Sequence, residues 1–381
     1  MATPTINRGR TSGSSAASPW RHVDLSLAGA VIFLAAFGLL MIYSATRTRL
    51  AESGADPQYY LQRQALFVAI GLGVMALTAI IDYRSFRDFA PMIYAGTVGL
   101  LVLVLVLGAE HKGQQASFDL GPFQLQPSEF AKVALIVCLA AYASSIRDEI
   151  NGRRLLVILV VAGIPMGLIY LQPDLGTSLV FGAILLGMLL VSGAKARHLL
   201  ALLIVAVIAV AAVVNLGVLK EYQYERLTSF LEPEADTDRS AYNLAQSKTA
   251  IGSGGISGKG LFQGTQTNLS YVPEQHTDFI FTAVGEQLGL FGSALLLMLF
   301  ALVAWRTWRS AALAKDAAGT LICVGVLSML TFQIFENVGM TMGIMPITGI
   351  PLPFLSYGGS STLATFAALG LVLNVHMRRF T

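Results

Sequence analysis

Long runs of apolar residues, separated by short polar or charged segments, repeat along almost the whole chain. Most of these runs hold about 20 residues, which is the length a helix needs to cross the hydrocarbon core of a bilayer. The runs predict ten spans, near residues 25–46, 65–81, 89–107, 128–146, 155–171, 175–192, 199–219, 278–305, 317–343 and 357–376. The pattern therefore predicts an all-α polytopic membrane protein with ten transmembrane helices.

Composition excludes a soluble globular protein and a disordered chain. Of the 381 residues, 55% are hydrophobic and 12% are charged, whereas soluble domains hold about 25% charged residues. A soluble globule of this size has no core large enough for so much apolar surface, and a disordered chain would be far more polar. The two cysteines, Cys138 and Cys323, lie inside apolar runs, which favours small buried side chains over a disulfide or a metal site.

The distribution of charge predicts which way the helices run. Lys and Arg residues collect in short cytoplasmic loops, and with both termini cytoplasmic the inner segments hold 15 of the 25 basic residues: Arg8, Arg10, Arg21, Arg84, Arg87, Arg147, Arg153, Arg154, Lys195, Arg197, Arg306, Arg309, Lys315, Arg378 and Arg379. Most acidic residues then fall outside or within the membrane. Both termini are therefore predicted to be cytoplasmic.

Two segments outside the spans are distinctive. Residues 1–24 are polar and lack the apolar stretch of a cleaved signal peptide, which predicts a disordered cytoplasmic tail. The remainder, 25–381, forms a single transmembrane domain, with a large outer loop over 220–277 between spans seven and eight. Loops of that length usually carry a function.

Charged side chains within a bilayer are costly and are functional candidates for that reason. Glu129 and Lys132 open the fourth span, and their i,i+3 spacing puts them on one helix face with the acid first, the favourable order for an ion pair. The spacing fits a functional pair and a purely structural one equally well. If the pair is functional, we expect Glu129→Ala to abolish activity and leave folding intact.

Two aspartates lie at predicted helix starts. Asp174 precedes the sixth span, where capping of the helix is the favoured role. Asp278 begins the eighth span directly after Thr277, so that either residue is a candidate cap; a Thr277 cap would leave Asp278 facing the outer side. Glu286 lies about 12 Å further along that helix.

Other polar groups allow simpler interpretations. Glu336 and Asn337 lie in the ninth span, where helix–helix hydrogen bonds are the favoured role. The glycine-rich segment 252–260 superficially resembles a phosphate-binding loop. Its spacing fails, because Ser253 stands at the first glycine position and Gly260 replaces the Ser or Thr after the lysine. Nucleotide binding is not predicted, although backbone amides of this segment remain candidates for contact with a pyrophosphate.

Several long motifs, in order, carry a family resemblance. They are LGPFQLQPSEFAK at 120–132, QPDLGT at 172–177, AQSKTAIGSGGISGKG at 245–260, VPEQHTDFIF at 272–281 and GIMPITGIPLPFLSYGGSS at 343–361. With ten spans and a large loop after the seventh, the chain resembles the SEDS family (shape, elongation, division and sporulation), over nearly all of 25–380. Within the last motif, the run PITGIPLPF at 346–354 is more similar to the RodA branch than to the FtsW branch.

The resemblance implies a reaction and a location. Members of the family are peptidoglycan glycosyltransferases of the bacterial plasma membrane, which polymerise lipid II into β-1,4 glycan strands at the outer face. The 4-hydroxyl of the acceptor GlcNAc attacks the anomeric carbon of the donor MurNAc, and undecaprenyl pyrophosphate leaves with inversion. Such a step needs a base for the hydroxyl proton and positive charge for the leaving group.

The resemblance also implies roles for individual residues. Asp278 matches the essential aspartate of the family, as the base or as the ligand of an assisting cation, and Glu129 and Lys132 match its paired cavity charges. Residues of the matching motifs that become candidates for substrate binding are Gln126, Ser128, Asp174, Gln246, Lys248, Lys259, Thr277, Ser356 and Tyr357. The chain departs from the usual Arg-Trp-Ile before LGPF, with Ala116-Ser117-Phe118 in its place.

Cofactors and partners follow from the same resemblance. A divalent cation, Mg²⁺ or Mn²⁺, is compatible with pyrophosphate departure, whereas no nucleotide, haem, flavin or nucleic acid is expected. The implied partners are a class B penicillin-binding protein, the elongation machinery, lipid II, undecaprenyl pyrophosphate and membrane lipids. The alternatives are the division or sporulation paralogue, a lipid II flippase and a scaffold. A flippase needs a polar path across the bilayer, whereas most polar groups here are predicted in the outer half.

Overall fold

The computed structural model describes residues 22–111, 114–119, 121, 123–146, 150–215 and 239–380. Its helices are α1 (Leu25–Glu52), α2 (Tyr59–Ile80), α3 (Tyr83–Asp88), α4 (Ala90–Leu107), α5 (Pro127–Ser145), α6 (Gly152–Leu171), α7 (Leu175–Val191), α8 (Ala196–Asn215), α9 (Arg239–Gly254), α10 (Thr265–Asn268), α11 (Ile280–Ala312), α12 (Ala317–Met342) and α13 (Gly359–Met377). The predicted tail over 1–24 and the first part of the predicted outer loop lie almost entirely outside the described residues.

The described part of the chain is mostly helical, as the hydrophobic pattern predicts. Eight helices are long and apolar enough to cross a bilayer: α1, α2, α4, α5, α6, α11, α12 and α13. Helix α7 is shorter, with 17 residues, and α8 is apolar over Ala196–Val205. Each predicted span thus has a helix at its position, and the count of ten spans stays a prediction.

A small β-sheet between α4 and α5 corrects the all-α prediction. Strands β1 (Ala109–His111), β2 (Gln114–Asp119) and β3 (Gln124–Leu125) form an antiparallel sheet in that order. The sheet arises because the chain must turn back within some 20 residues between two neighbouring helices. Ala116, in the segment that departs from the family pattern, is buried within β2. Strands β1 and β3 are too short for a periodic signal, and the six residues of β2 include only two apolar ones, Ala116 and Phe118.

The helices alternate in direction, so the bundle has two distinct ends. At one end α1, α11 and α13 are joined: Asp24, which caps α1, forms an ion pair of 2.6 Å with Arg306 of α11, and Ser310 of α11 lies in hydrogen-bond contact with His376 of α13 over 3.1 Å. Nearby, the Tyr83 hydroxyl donates to Asp316 over 2.8 Å. Burial is the largest cause and the acidic partner the second of a pKa for Tyr83 that is raised to about 12. The phenol therefore keeps its proton and remains a donor. This end is the one predicted to be cytoplasmic.

The opposite end, called here the site end, is where α1, α4, α6 and α12 finish and α2, α5, α7, α11 and α13 begin. The segment between α12 and α13 folds back into the bundle there, and Phe354 and Leu355 are buried in the core. A Cβ added to Gly38 of α1 would overlap the Phe354 carbonyl oxygen. The backbone of the returning segment therefore lies directly against α1.

This close approach leads to a prediction about packing. We expect Gly38→Ala to lower the free energy of unfolding by about 1–3 kcal/mol, the usual cost of overpacking, because the rigid Phe354 backbone leaves no room for a methyl group. Gly29 in the same helix has nothing within 4 Å of an added Cβ, and Gly29→Ala is the matched control. Thermal unfolding in detergent measures both, and equal melting temperatures would contradict the packing described here.

Candidate functional site

Asp278 lies in a tight turn that leads into α11 at the site end. The backbone N–H groups of Thr277 and Asp278 both donate to the Glu274 carbonyl over 3.2 Å, and Glu274 has a positive φ of 52°. Helix α11 begins one residue later with Phe279 as its N-cap, without a side-chain cap. Neither Thr277 nor Asp278 is thus the cap that the sequence suggested. The Thr277 hydroxyl instead donates to the Glu274 carbonyl, and Asp278 is half-buried.

Asn337 of α12 holds this turn in place through two hydrogen bonds. Its side-chain nitrogen donates to the backbone carbonyls of Asp278 and Ile350, each over 2.8 Å, and the residue is fully buried. The prediction of helix–helix hydrogen bonds for Asn337 and Glu336 was wrong. Both residues bind non-helical segments, because the chain after α12 returns alongside the end of that helix. The sequence could not show this return.

The returning segment around Gly349 lies against two carboxyl groups and the start of α7. A Cβ on Gly349, which has a φ of +77°, would be 3.5 Å from Asp278 Oδ2. The neighbouring Thr348 donates its hydroxyl to Glu336 Oε1 over 2.9 Å. On the other side, a Cβ on Gly176 in the first turn of α7 would be 2.8 Å from the Thr348 carbonyl oxygen. Asp278 and Glu336 thus contact this segment, and the start of α7 packs against it.

Asp174 caps α7, as its position in the sequence predicted. Oδ1 accepts from the Thr177 N–H over 2.9 Å and Oδ2 from the Thr177 hydroxyl over 2.7 Å. The Gln126 side-chain amide reaches the same carboxylate over 3.4 Å, and the Gln126 N–H donates to Ser360 Oγ over 3.0 Å. These bonds join the starts of α5, α7 and α13 at the site end.

Glu129 and Lys132 form the ion pair that their spacing predicts. Lys132 Nζ lies 2.8 Å from Glu129 Oε1, and the two side chains are only 2% and 4% exposed. The adjacent Ser128 is fully buried, and its hydroxyl has no hydrogen-bond partner within the described part of the chain. Geometry confirms the pairing and leaves the choice between functional and structural roles open.

Ser356 and Tyr357 shape the turn before α13. Ser356 Oγ accepts from the Leu352 N–H over 2.8 Å, which closes a local turn. The Tyr357 N–H donates to the His276 carbonyl over 2.9 Å, so this turn and the Asp278 turn are joined. The Tyr357 ring lies 4.9 Å from that of Tyr60 and 5.7 Å from that of His276.

The glycine-rich segment after α9 is docked onto α11. At Gly289, where φ is +62°, α11 is interrupted, and the carbonyls freed by the break accept from the N–H groups of Lys259 and Gly260 over 3.0 Å. These two amides therefore bind the helix and are not free to bind pyrophosphate. Of the loop candidates on α9, Gln246 is half-buried and Lys248 is exposed.

Lys259 lies in an ion pair with Glu286 rather than in open solvent. Its Nζ is 3.1 Å from Glu286 Oε1. The fully buried Glu286 also accepts from the backbone N–H groups of Gln266 and Thr267, over 2.8 and 3.0 Å, and from the Thr267 hydroxyl over 2.8 Å. This carboxylate therefore fastens the segment around α10 to α11.

Removal of this carboxylate should release the segment. We expect Glu286→Ala to lower the free energy of unfolding by about 3 kcal/mol or more, because several buried donors lose their acceptor at 1–3 kcal/mol for each unsatisfied group. The segment 259–268 should also become sensitive to protease. Lys259→Met removes only the partly exposed cation and is the control, with less than about 1 kcal/mol expected. Limited proteolysis and thermal unfolding report both effects, and equal losses in the two variants would refute this role.

Three features of the site could not be found from sequence patterns. Asn337 was recognised as a buried polar residue, but its partners come from turns distant in the chain. Gly349 lies in the motif at 343–361, but nothing in the sequence of that motif indicates that it contacts Asp278. Tyr60 opens the second helix as an ordinary aromatic residue, and only the fold brings it to His276.

Taken together, fold and site define a class. The chain is a polytopic helical membrane protein in which a carboxylate turn, a buried ion pair and a returning proline-rich segment meet at one end of the bundle. The sequence profile of the FtsW, RodA and SpoVE cell cycle proteins matches residues 25–380. The chain belongs to this family, in agreement with the resemblance stated from its motifs.

Individual relatives cover almost the full chain. Stage V sporulation protein E of Bacillus subtilis is 37% identical over 92% of this chain and 96% of its own length. Peptidoglycan glycosyltransferase MrdB of Escherichia coli is 37% identical over 94% of each chain. RodA of Thermus thermophilus superposes with a TM-score of 0.71 at 31% identity, covering 95% of this chain and 99% of its own.

A further solved structure concerns an assembly. A chain from a study of how a peptidoglycan synthase complex coordinates polymerization and crosslinking superposes with a TM-score of 0.81 at 34% identity. The match covers 94% of this chain and 99% of that one. The fold described here is therefore that of a protein known within such a complex.

Proposed function

We propose that this protein is a peptidoglycan glycosyltransferase that polymerises lipid II into β-1,4 glycan strands, with Asp278 as its central catalytic group. The supporting observation is the turn that holds Asp278: Asn337 binds its backbone over 2.8 Å, and the half-buried carboxylate lies beside Gly349. Two relatives that cover 94% and 95% of this chain, MrdB and RodA, bear names tied to this activity or to rod shape. The run at 346–354 favours a role in cell elongation over the division or sporulation role.

The reaction is a single inverting displacement. The 4-hydroxyl of the acceptor GlcNAc attacks the anomeric carbon of the α-linked donor MurNAc, and the bond to undecaprenyl pyrophosphate breaks. Asp278 takes the hydroxyl proton as the new C–O bond forms. A half-buried carboxylate at a helix start suits this role, since a lipid-linked sugar is presented at the same depth, where the spans end.

A divalent cation would assist the leaving group. Among the described residues no cluster of three or more His, Cys, Asp or Glu side chains is placed to hold a metal. Mg²⁺ is commonly held by one or two carboxylates together with substrate phosphates, and Asp278 beside the pyrophosphate fits that arrangement. Bound there, Mg²⁺ or Mn²⁺ would neutralise charge on the departing phosphate oxygens.

The proposal includes an orientation and a partner. We place the protein in the bacterial plasma membrane with ten spans, both termini in the cytoplasm and the site end outside, as the distribution of Lys and Arg supports. Lipid II is available at that face. A class B penicillin-binding protein is the proposed partner, which the similarity to a chain of a synthase complex supports.

Reconstitution tests the proposal. The full chain is purified with its transpeptidase and supplied with labelled lipid II and Mg²⁺, and the products are separated by gel electrophoresis. We expect glycan strands that muramidase digests to disaccharide units. Translocation of labelled lipid II across liposomes without any polymer would overturn the proposal in favour of a flippase, and neither activity would leave the scaffold alternative.

A further inference from the structure

A cavity opens at the site end beside the Asp278 turn. Its volume is about 220 Å³, and it is bounded by the end of α1, the start of α2 and the segment 270–276. Pockets for drug-sized ligands are larger, at about 300–1,000 Å³. The size therefore suits one ring of a ligand rather than a whole disaccharide.

The walls of the cavity combine aromatic rings with neutral polar groups. Tyr60 and His276 both line it, and their ring centroids are 4.6 Å apart. Ser53, Ser270 and Gln275 supply hydroxyl and amide groups. The Gln275 amide is held in place, since its nitrogen donates to the hydroxyls of Thr267 and Thr282 over 3.1 and 2.9 Å. Apolar ring faces with a few fixed polar groups suit a sugar, which has both C–H faces and hydroxyls.

The cavity is joined to the proposed catalytic group through one short turn. His276 lines the cavity and precedes Asp278 by two residues. The His276 carbonyl accepts from the Tyr357 N–H, and the Asp278 carbonyl accepts from Asn337. Both sides of the turn are thus fixed, and the cavity wall at His276 is only two residues along the chain from Asp278.

We propose that this cavity binds one sugar ring of the acceptor, the GlcNAc whose 4-hydroxyl is deprotonated by Asp278. The proposal rests on the proposed function and adds the site of the acceptor. Arg49, on the cavity rim, donates to oxygen atoms of the sugar or of its acetamido group.

The charge of the lining argues against the pyrophosphate group as occupant. Arg49 is the one permanently cationic residue among those that line the cavity, and it is exposed. A pyrophosphate carries several negative charges. A single cation that is screened by solvent is not enough to bind it tightly. Apart from His276, the remaining polar side chains of the lining carry no charge, which matches an uncharged sugar ring.

Binding of a lipid-free glycan tests the inference without any turnover. The probe is a soluble GlcNAc–MurNAc oligosaccharide, and saturation-transfer NMR on the full chain in detergent detects its acetamido methyl protons. Ser53→Trp fills the cavity from the end of α1, and we expect binding about tenfold weaker or lost. Glu52→Trp adds the same side chain one residue earlier, at an exposed position outside the lining, and should bind as the wild type does.

A second pair of variants guards against misfolding. Tyr60→Ala removes one wall, whereas Tyr59→Ala removes a neighbouring ring that does not line the cavity; only the first should weaken binding, by about three- to tenfold. Inorganic pyrophosphate should not displace the probe from the wild-type protein. Wild-type affinity in both Ser53→Trp and Tyr60→Ala, or displacement by pyrophosphate, would overturn the inference.

The outcome separates this inference from the proposed function. Normal glycan polymerisation by Ser53→Trp would refute the acceptor site and leave the glycosyltransferase proposal intact. If the wild-type protein bound the oligosaccharide in the cavity but made no polymer, the binding site would stand and the glycosyltransferase proposal would be refuted.

Discussion

Asp278→Asn should eliminate the formation of glycan strands from lipid II. General base catalysis typically contributes about 10²–10⁴-fold to a rate, and an amide can neither accept the hydroxyl proton nor bind a cation as a carboxylate does. The Asp278 carbonyl accepts from Asn337 and its N–H donates to the Glu274 carbonyl. Asparagine keeps both backbone bonds and has nearly the same shape as aspartate, so polymerisation of labelled lipid II measures the chemical step.

A matched control is available on the same face. Asp56 is an exposed aspartate between α1 and α2 whose carboxylate accepts only from the nearby Gln58 N–H among the bonds described. We expect Asp56→Asn to polymerise at the wild-type rate, and both variants to melt at the wild-type temperature. If Asp278→Asn made strands as fast as Asp56→Asn, the catalytic role of Asp278 would be wrong.

The sequence was a good guide to features that depend on neighbouring residues. The hydrophobic runs located the helices, because a long apolar segment in lipid has few alternatives to a helix. Asp174 was recognised as a cap from its place before a span, and the Glu129–Lys132 pair from its i,i+3 spacing. The cap and the ion pair each depend on residues within one helical turn.

Contacts between segments that are far apart in the chain could not be predicted from the sequence. Asn337 contacts Asp278, 59 residues away, and Lys259 pairs with Glu286, 27 residues away. Such contacts depend on where a turn ends, and patterns of periodicity carry no information on that point. The three-stranded sheet was missed because two of its strands have three residues or fewer and the third holds only two apolar residues, which is too weak a pattern to distinguish a strand from a loop.

Burial of the Glu129–Lys132 pair changes what its substitution should do. From sequence, Glu129→Ala was expected to leave folding intact. With both side chains at most 4% exposed and 2.8 Å apart, removal of the acid leaves an ammonium group buried without its partner, which typically costs about 3–5 kcal/mol. We now expect Glu129→Ala to lower the melting temperature as well as the rate, so that the single variant cannot separate structural from functional roles.

A double substitution separates them. Replacement of both members of a buried pair by uncharged groups of similar size is often neutral for stability, so Glu129→Gln combined with Lys132→Met should melt close to the wild type. We expect polymerisation to remain about a hundredfold slower, as when one preorganised electrostatic group is removed from a site, because the resemblance assigns this pair to the substrate cavity. Thermal unfolding and lipid II polymerisation of the same preparations give the two readouts. Recovery of activity together with stability would instead establish that the pair only holds α5 together, and the positive charge for the leaving group would then have to come from a bound cation.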